Sequence, residues 1–320
     1  MRLIRGTCGL PPLTKGILIA TSMKIAYLVF AYSNPQLLRR EIEALSSVDS
    51  AFFVHIDRKS NLQEFSGIKG NNIFFLNDRV TVYWAEFSGV KAITKLILHG
   101  IKAEQKFDYF VLLSGSEYPL RSVEYIHKFF EANNGQEFMD VVKIPNLQAG
   151  KPLSHINSFR APSSKPALQL VVKALSRMGV IRRDYRKHFG DLAPYGGHTW
   201  WALTRGACEY MIEFIEQHPK LVRYFEHAAQ PEETFFHTIL GNSSFKLRFR
   251  RNLLYEDWSA GGRRPAMISE KHLAIFAAQK RVWLSDVFGA GEVLFARKYS
   301  DENLGLLDEV DKLVKTKGDS

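Results

Sequence analysis

The sequence predicts an α/β fold with a mostly parallel sheet and a mixed C-terminal half. Three observations predict it. Apolar runs alternate with amphipathic helical stretches over the first 133 residues. The first runs have almost no polar break, as strands covered on both faces require. Strand, helix and strand also follow one another within about 35 residues, the length of a parallel crossover unit.

Ile25–Ala31 reads as the first buried strand. Asn34 then reads as an N-cap with Pro35 at the first helical position, and Leu37, Leu38, Ile42 and Leu45 recur at helical spacing. Residues 51–56 form a second apolar strand, and 73–76 and 80–84 two shorter ones. Ser88 is expected to cap a helix with an apolar face of Val90, Ile93, Ile97 and Ile101. Tyr109–Leu113 reads as a central strand, followed by the polar turn Ser114-Gly115-Ser116-Glu117. Ser122 opens a helix to about Asn133.

Residues 144–196 break this pattern with five prolines, several glycines and many basic residues, around one amphipathic helix at 167–178. So long an interruption suggests a functional insertion or a mobile segment. Beyond it come a strand at 200–203, a helix to Gln217, a helix opened by Pro231 through Leu240, a helix from Ser269 and a last strand at 293–296. The expected division is a leader at 1–22, one domain at 23–300 and a helical tail at 301–320.

The 320 residues are 46% hydrophobic and 24% charged, which excludes wholesale disorder. A net charge of +10 is compatible with simple solubility, with a phosphate-bearing ligand or with an anionic surface. The basic stretches at 182–187 and 248–264 lack interleaved aromatics, so nucleic acid is not an expected partner. Cys8 and Cys208 are the sole cysteines, suggesting a reduced cytosolic setting. The apolar run at 16–20 is too short for a signal peptide, so either Met23 is the natural start or the residues before it are an unstructured leader.

Gly-x-Gly-x-x-Gly, a phosphate loop, Asp-x-Asp and His-Glu-x-x-His are all missing, which disfavours nicotinamide and P-loop enzymes and makes no metal site evident. In parallel sheets ligands bind beyond the carboxyl ends of the strands. That rule selects Tyr32-Ser33, Asp57-Arg58, Ser114 to Tyr118 and Arg297-Lys298.

Several blocks then occur in order: Val54-His55-Ile56-Asp57-Arg58-Lys59-Ser60, Trp84 with Ser88, Leu112 through Leu120, Gly197 through Leu203, Pro231-Glu232-Glu233-Thr234-Phe235-Phe236, Asp257-Trp258-Ser259, and Leu294 through Tyr299. Together they resemble the core-2/I-branching β-1,6-N-acetylglucosaminyltransferase family, which includes the peptide-O-xylosyltransferases. The resemblance runs from about Met23 to Ser300. It implies an A-type glycosyltransferase fold, a UDP-sugar donor, inversion and no metal or other cofactor. Glu233 matches the catalytic base, Arg297 and Lys298 the basic pair on the donor pyrophosphate, and Asp57 a position near the uridine. Ser116 and Glu117 are placed with the donor. Glu117 and Glu232 stand where the family commonly has Asp.

The chemistry is coherent on its own terms. Inverting transfer needs a carboxylate to take the acceptor's proton and positive charge against the departing diphosphate. Arg and Lys can supply that charge. Asp257 and Trp258, in a Gly- and Arg-rich loop, suit sugar recognition at the acceptor side, with Trp200 lining the cleft.

Blander readings stand beside these. Glu232 and Glu233 can be acids favoured by a helix start, Arg297 and Lys298 a solvated pair, Asp57 a turn cap and Trp258 a core residue. The expected acceptor is a glycan or lipid-linked glycan, with peripheral contact at the inner membrane face. A noncatalytic carbohydrate- or nucleotide-binding module is the alternative.

Overall fold

The computed structural model describes residues 22–181, 183–262 and 264–318. The expected leader lies almost wholly outside them, as does Cys8. The N-terminal half alternates β1 (Ile25–Ala31), α1 (Pro35–Leu45), β2 (Ser50–Ile56), β3 (Ile73–Phe75), α2 (Phe87–Lys102) and β4 (Tyr109–Leu113). Then follow β5 (Glu117–Pro119), α3 (Val123–Ala132), β6 (Glu137–Phe138) and β7 (Val142–Lys143).

The insertion holds the short α4 (Ser154–Asn157), α5 (Pro166–Arg177), the short α6 (Arg186–Phe189) and β8 (Tyr195–Gly196). The C-terminal half comprises β9 (Ala202–Thr204), α7 (Arg205–Gln217), α8 (Pro219–Phe225), α9 (Phe235–Gly241), β10 (Phe249–Arg250) and β11 (Leu254–Glu256). It ends with α10 (Glu270–Ala278), β12 (Trp283–Asp286), β13 (Gly289–Glu292), β14 (Phe295–Arg297) and α11 (Gly305–Lys317).

The central sheet runs β10-β6-β9-β4-β1-β2-β3. Its β4-β1-β2-β3 part is parallel, while β9 lies antiparallel to both β4 and β6. The fold is therefore α/β with a largely parallel sheet and a mixed C-terminal part. Every residue of β2 and β4 is buried, because apolar layers cover both faces. On one face Leu28, Phe53, Phe110, Ile93 and Phe236 share a core; on the other Tyr27, Val54, Ile42 and Phe130 do. A third cluster packs α10 and α11 against a small sheet, β11-β14-β5.

Four local expectations are corrected. Asn34 has φ 61° and no capping hydrogen bond; Asp301 instead accepts from Leu37 N at 2.7 Å and Gln36 N at 3.3 Å. Residues 80–84 form no strand, because side chains take their N–H groups: Val80 donates to His55 Nε2 at 2.8 Å and Val82 to Asp57 Oδ1 at 3.2 Å. Burial pushes the His55 pKa down to about 4, so its imidazole is neutral and can accept. Ser88 lies inside α2 and accepts from Tyr83 N. The helix from Pro231 is divided: Pro231–Glu233 is a single tight turn entered through Gln230 at φ 50°, and α9 begins at Phe235.

Candidate active site

The parallel strand order reverses between β1 and β4, so their carboxyl ends open a crevice. Gly115 makes the turn there at φ 66°, and a Cβ on it would sit 3.2 Å from Ala31 Cβ. Glycine meets both demands. Asp57 N donates to Ala31 O at 2.8 Å, which closes the end of β2 onto β1. The buried Asp57 carboxylate accepts from Lys59 N and Val82 N and pairs with Lys59 Nζ at 3.4 Å. Ser116 receives Asn34 Nδ2 on its hydroxyl and Tyr299 N on its carbonyl.

Arg297 and Lys298 leave β14 beside this crevice. Because β14 pairs with β5 and β11, Arg297 aligns with both Glu117 and Glu256. Its Nε lies 3.1 Å from Glu117 Oε1 and its Nη1 3.4 Å from Glu256 Oε1. The guanidinium also covers the Trp200 ring, 4.7 Å from its centroid. Glu117 is wholly enclosed, and its carboxylate accepts from Ser114 N at 2.6 Å, Ser114 Oγ at 2.7 Å and Ser116 N at 3.2 Å. It thus acts on any ligand through Arg297. Lys298 is half-buried, and among the described residues its ammonium makes no hydrogen bond or ion pair.

Glu233 ends the tight turn at Pro231, where its carbonyl accepts from Gly197 N at 2.9 Å. Lys151 Nζ lies 2.5 Å from its Oε2. Lys151 is held in place by reciprocal backbone hydrogen bonds with Asn146, both 2.8 Å. Oε1 has no partner among the described residues and remains able to accept a proton.

His198 follows Gly197 in the chain. Its Nδ1 lies 2.8 Å from Asp140 Oδ2, and its carbonyl accepts from His237 Nε2 at 2.9 Å. Burial opposes its positive charge, but the Asp140 hydrogen bond and the Asp140 and Glu256 charges outweigh it and raise the pKa. The Lys151 charge, itself paired with Glu233, works against that rise. Lys151 thus pairs with Glu233 and Arg297 with Glu256, while His198 is hydrogen-bonded to Asp140. Gly197 lets this strand approach Asp140, since a Cβ there would lie 1.6 Å from Asp140 O.

The family model described as "Core-2/I-Branching enzyme" matches residues 25–279. The chain belongs to the core-2/I-branching enzyme family. Similar curated proteins include xylosyltransferase sqv-6 of Caenorhabditis elegans, 23% identical over 74% of this chain and 28% of that protein. Others are a xylosyltransferase of Ciona intestinalis, 21% identical over 87% of this chain and 32% of that protein, and rat xylosyltransferase 2, 23% identical over 69% and 25%. This core-2/I-branching member therefore spans about a quarter to a third of the length of these relatives. Among solved structures, apo mouse xyloside xylosyltransferase 1 is similar with a TM-score of 0.36 and 10% identity, covering 85% of this chain and 96% of that one.

Trp258 is 44% exposed rather than core. Asp257 receives His272 Nε2 at 2.9 Å, Lys271 Nζ at 3.1 Å and Ser259 N at 2.8 Å, and hydrogen bonds from Ser259, His272 and Lys271 hold its carboxyl below the usual range. Of the tryptophan pair, Trp201 is buried and Trp200 half-buried. Among the described residues no group of three or more His, Cys, Asp or Glu converges to hold a metal ion, and no helix is long and apolar enough to cross a membrane.

Lys151, Asp140 and Glu256 escaped sequence reasoning. Lys151 and Asp140 are lone charged residues that only the fold shows to be buried, and Glu256 stands directly before the Asp257-Trp258-Ser259 block without belonging to it. A cleft of about 910 Å³ between Phe74 and the C-terminal half of α2 contains none of the predicted residues.

Proposed function

We propose that this chain transfers a sugar, N-acetylglucosamine or xylose, from a UDP-sugar to a glycan hydroxyl with inversion and without a metal ion. The observation that carries the reading is the Glu233 carboxylate, anchored by Lys151 through one oxygen and without a partner at the other among the described residues. The family match and the xylosyltransferase relatives support sugar transfer of this kind.

In the reaction the acceptor oxygen attacks the anomeric carbon while Glu233 Oε1 takes the hydroxyl proton. The bond from that carbon to the β-phosphate oxygen breaks, and its electron pair leaves with UDP. Lys298 meets the growing negative charge directly, and Arg297 flanks it from the β14 end. Glu256 and Glu117 fix the Arg297 fork. Trp258, 44% exposed, offers a flat face for pyranose stacking, whereas Trp200 is covered by Arg297 and sits behind it.

Glu233→Gln should lower turnover by about two to four orders of magnitude, as loss of a general base does. UDP binding should survive. Assays with UDP-xylose and UDP-N-acetylglucosamine, with and without EDTA, identify the donor and test the metal-free step. Near-normal turnover in the variant would reject the assignment. One observation favours a binding module without turnover: Glu117 and Glu256 already offset the Arg297 charge. UDP affinity without transfer or donor hydrolysis would establish that reading instead.

A further inference from the structure

The insertion carries a helix whose outward face has no partner. On α5 only Val172 is buried. Away from Val172 the helix carries apolar residues that are open to solvent: Leu170 is 71% exposed, Val171 53%, and Met178 at its end 66%. Helices normally turn such residues inward and polar residues outward. Here these apolar residues are left uncovered.

The charges of this segment are almost all positive. Lys165, Lys173, Arg177, Arg186 and Lys187 are exposed, and Asp184 is the sole acid between residues 161 and 190. A second copy of the same face would bring cation against cation, so self-association is disfavoured. An apolar strip framed by lysine and arginine is instead complementary to a bilayer with anionic headgroups, where the strip enters the acyl boundary and the cations meet phosphates.

The segment is also fixed to the rim of the Glu233 site. Ser163 N donates to Glu86 Oε1 at 2.6 Å, and Arg160 Nη2 donates to Trp84 O at 3.0 Å. The Arg183 guanidinium lies 3.7 Å from the centroid of the Tyr224 ring. Glu232, next to Glu233, packs against Gly89 in the first turn of α2, close to Glu86.

We propose that α5 is a membrane-surface anchor that seats this chain on anionic lipid, with its outer face lying in the interface plane. The anchor stands independently of the sugar-transfer reading. It deepens that reading in one respect, because it brings the Glu233 rim to a surface where a lipid-linked acceptor would be presented.

The full chain should co-sediment with phosphatidylcholine vesicles containing about a third phosphatidylglycerol, and much less with phosphatidylcholine alone. Raising salt should release it. Leu170→Asp with Val171→Asp lies on the exposed face, so folding should be unchanged by thermal denaturation while vesicle affinity falls at least about tenfold. Lys173→Glu with Arg177→Glu should weaken binding by about fivefold or more per residue. UDP affinity, measured without vesicles, should be unaffected in both pairs, which separates this test from that of Glu233. Failure of the wild-type chain to bind phosphatidylglycerol vesicles overturns the proposal. So does binding that the Leu170→Asp, Val171→Asp pair leaves intact, or a self-association that this pair abolishes.

Discussion

Lys151 Nζ stands 2.5 Å from Glu233 Oε2, with the lysine side chain 5% exposed and the carboxylate 26%. The pair divides the carboxylate's two oxygens between a structural and a chemical task. Lysine fixes Oε2 and leaves Oε1 without a partner among the described residues, on a side chain that is itself partly exposed. Lys151→Met keeps the chain length and removes the charge. It should lower kcat by about a hundredfold through lost orientation, while UDP affinity stays within about twofold. Steady-state kinetics and calorimetry on the same variant check this. A loss confined to UDP affinity would place Lys151 at the donor instead.

The two cations at the end of β14 should behave differently. Arg297 is 13% exposed and lies between the buried carboxylates of Glu117 and Glu256. Removing one member of such a group strands the others, so Arg297→Ala should destabilise the fold by roughly 3–5 kcal/mol. Lys298 has no such partners among the described residues, so Lys298→Ala should change stability by no more than about 0.5 kcal/mol. It should nonetheless weaken UDP binding about tenfold, as loss of one charge on a diphosphate does. Urea denaturation and UDP titration of both variants test the contrast. Unchanged UDP affinity in Lys298→Ala would remove that residue from the donor site.

The parallel half of the fold was legible because each strand and helix announces itself within a few residues. Ile25–Ala31 and Tyr109–Leu113 are apolar from end to end, and only a doubly covered sheet uses such runs. Strand ends were therefore legible too, and the fold brings Asp57, Ser116 and Arg297 to one crevice. What failed depends on distant residues. Asn34 has the right chemistry for a cap, yet Asp301, 264 residues beyond Leu37, takes the helix N–H groups. Residues 80–84 have strand propensity, but His55 and Asp57 side chains claim their backbone donors. Lys151 carries no local signal at all, since its burial and its carboxylate partner both arise from tertiary packing.

Glu232 makes the acidic turn itself sensitive to pH. Burial, reinforced by the Glu233 charge and opposed by Arg160, pushes its pKa from the ordinary 4.5 up to about 8. Between those values the folded chain keeps a proton that the unfolded chain has lost. Stability therefore falls as pH rises from about 4.5 to about 8, and the penalty is constant above that window. The full shift corresponds to an effect on the order of a few kcal/mol. Glu232→Gln preserves the neutral shape beside Gly89 and removes the titration. Its stability relative to the wild-type chain should be near zero at low pH and should increase steadily toward pH 8. Urea midpoints for both proteins at several pH values measure that divergence. A constant offset across the range would mean that Glu232 is solvated and ionised in the folded chain.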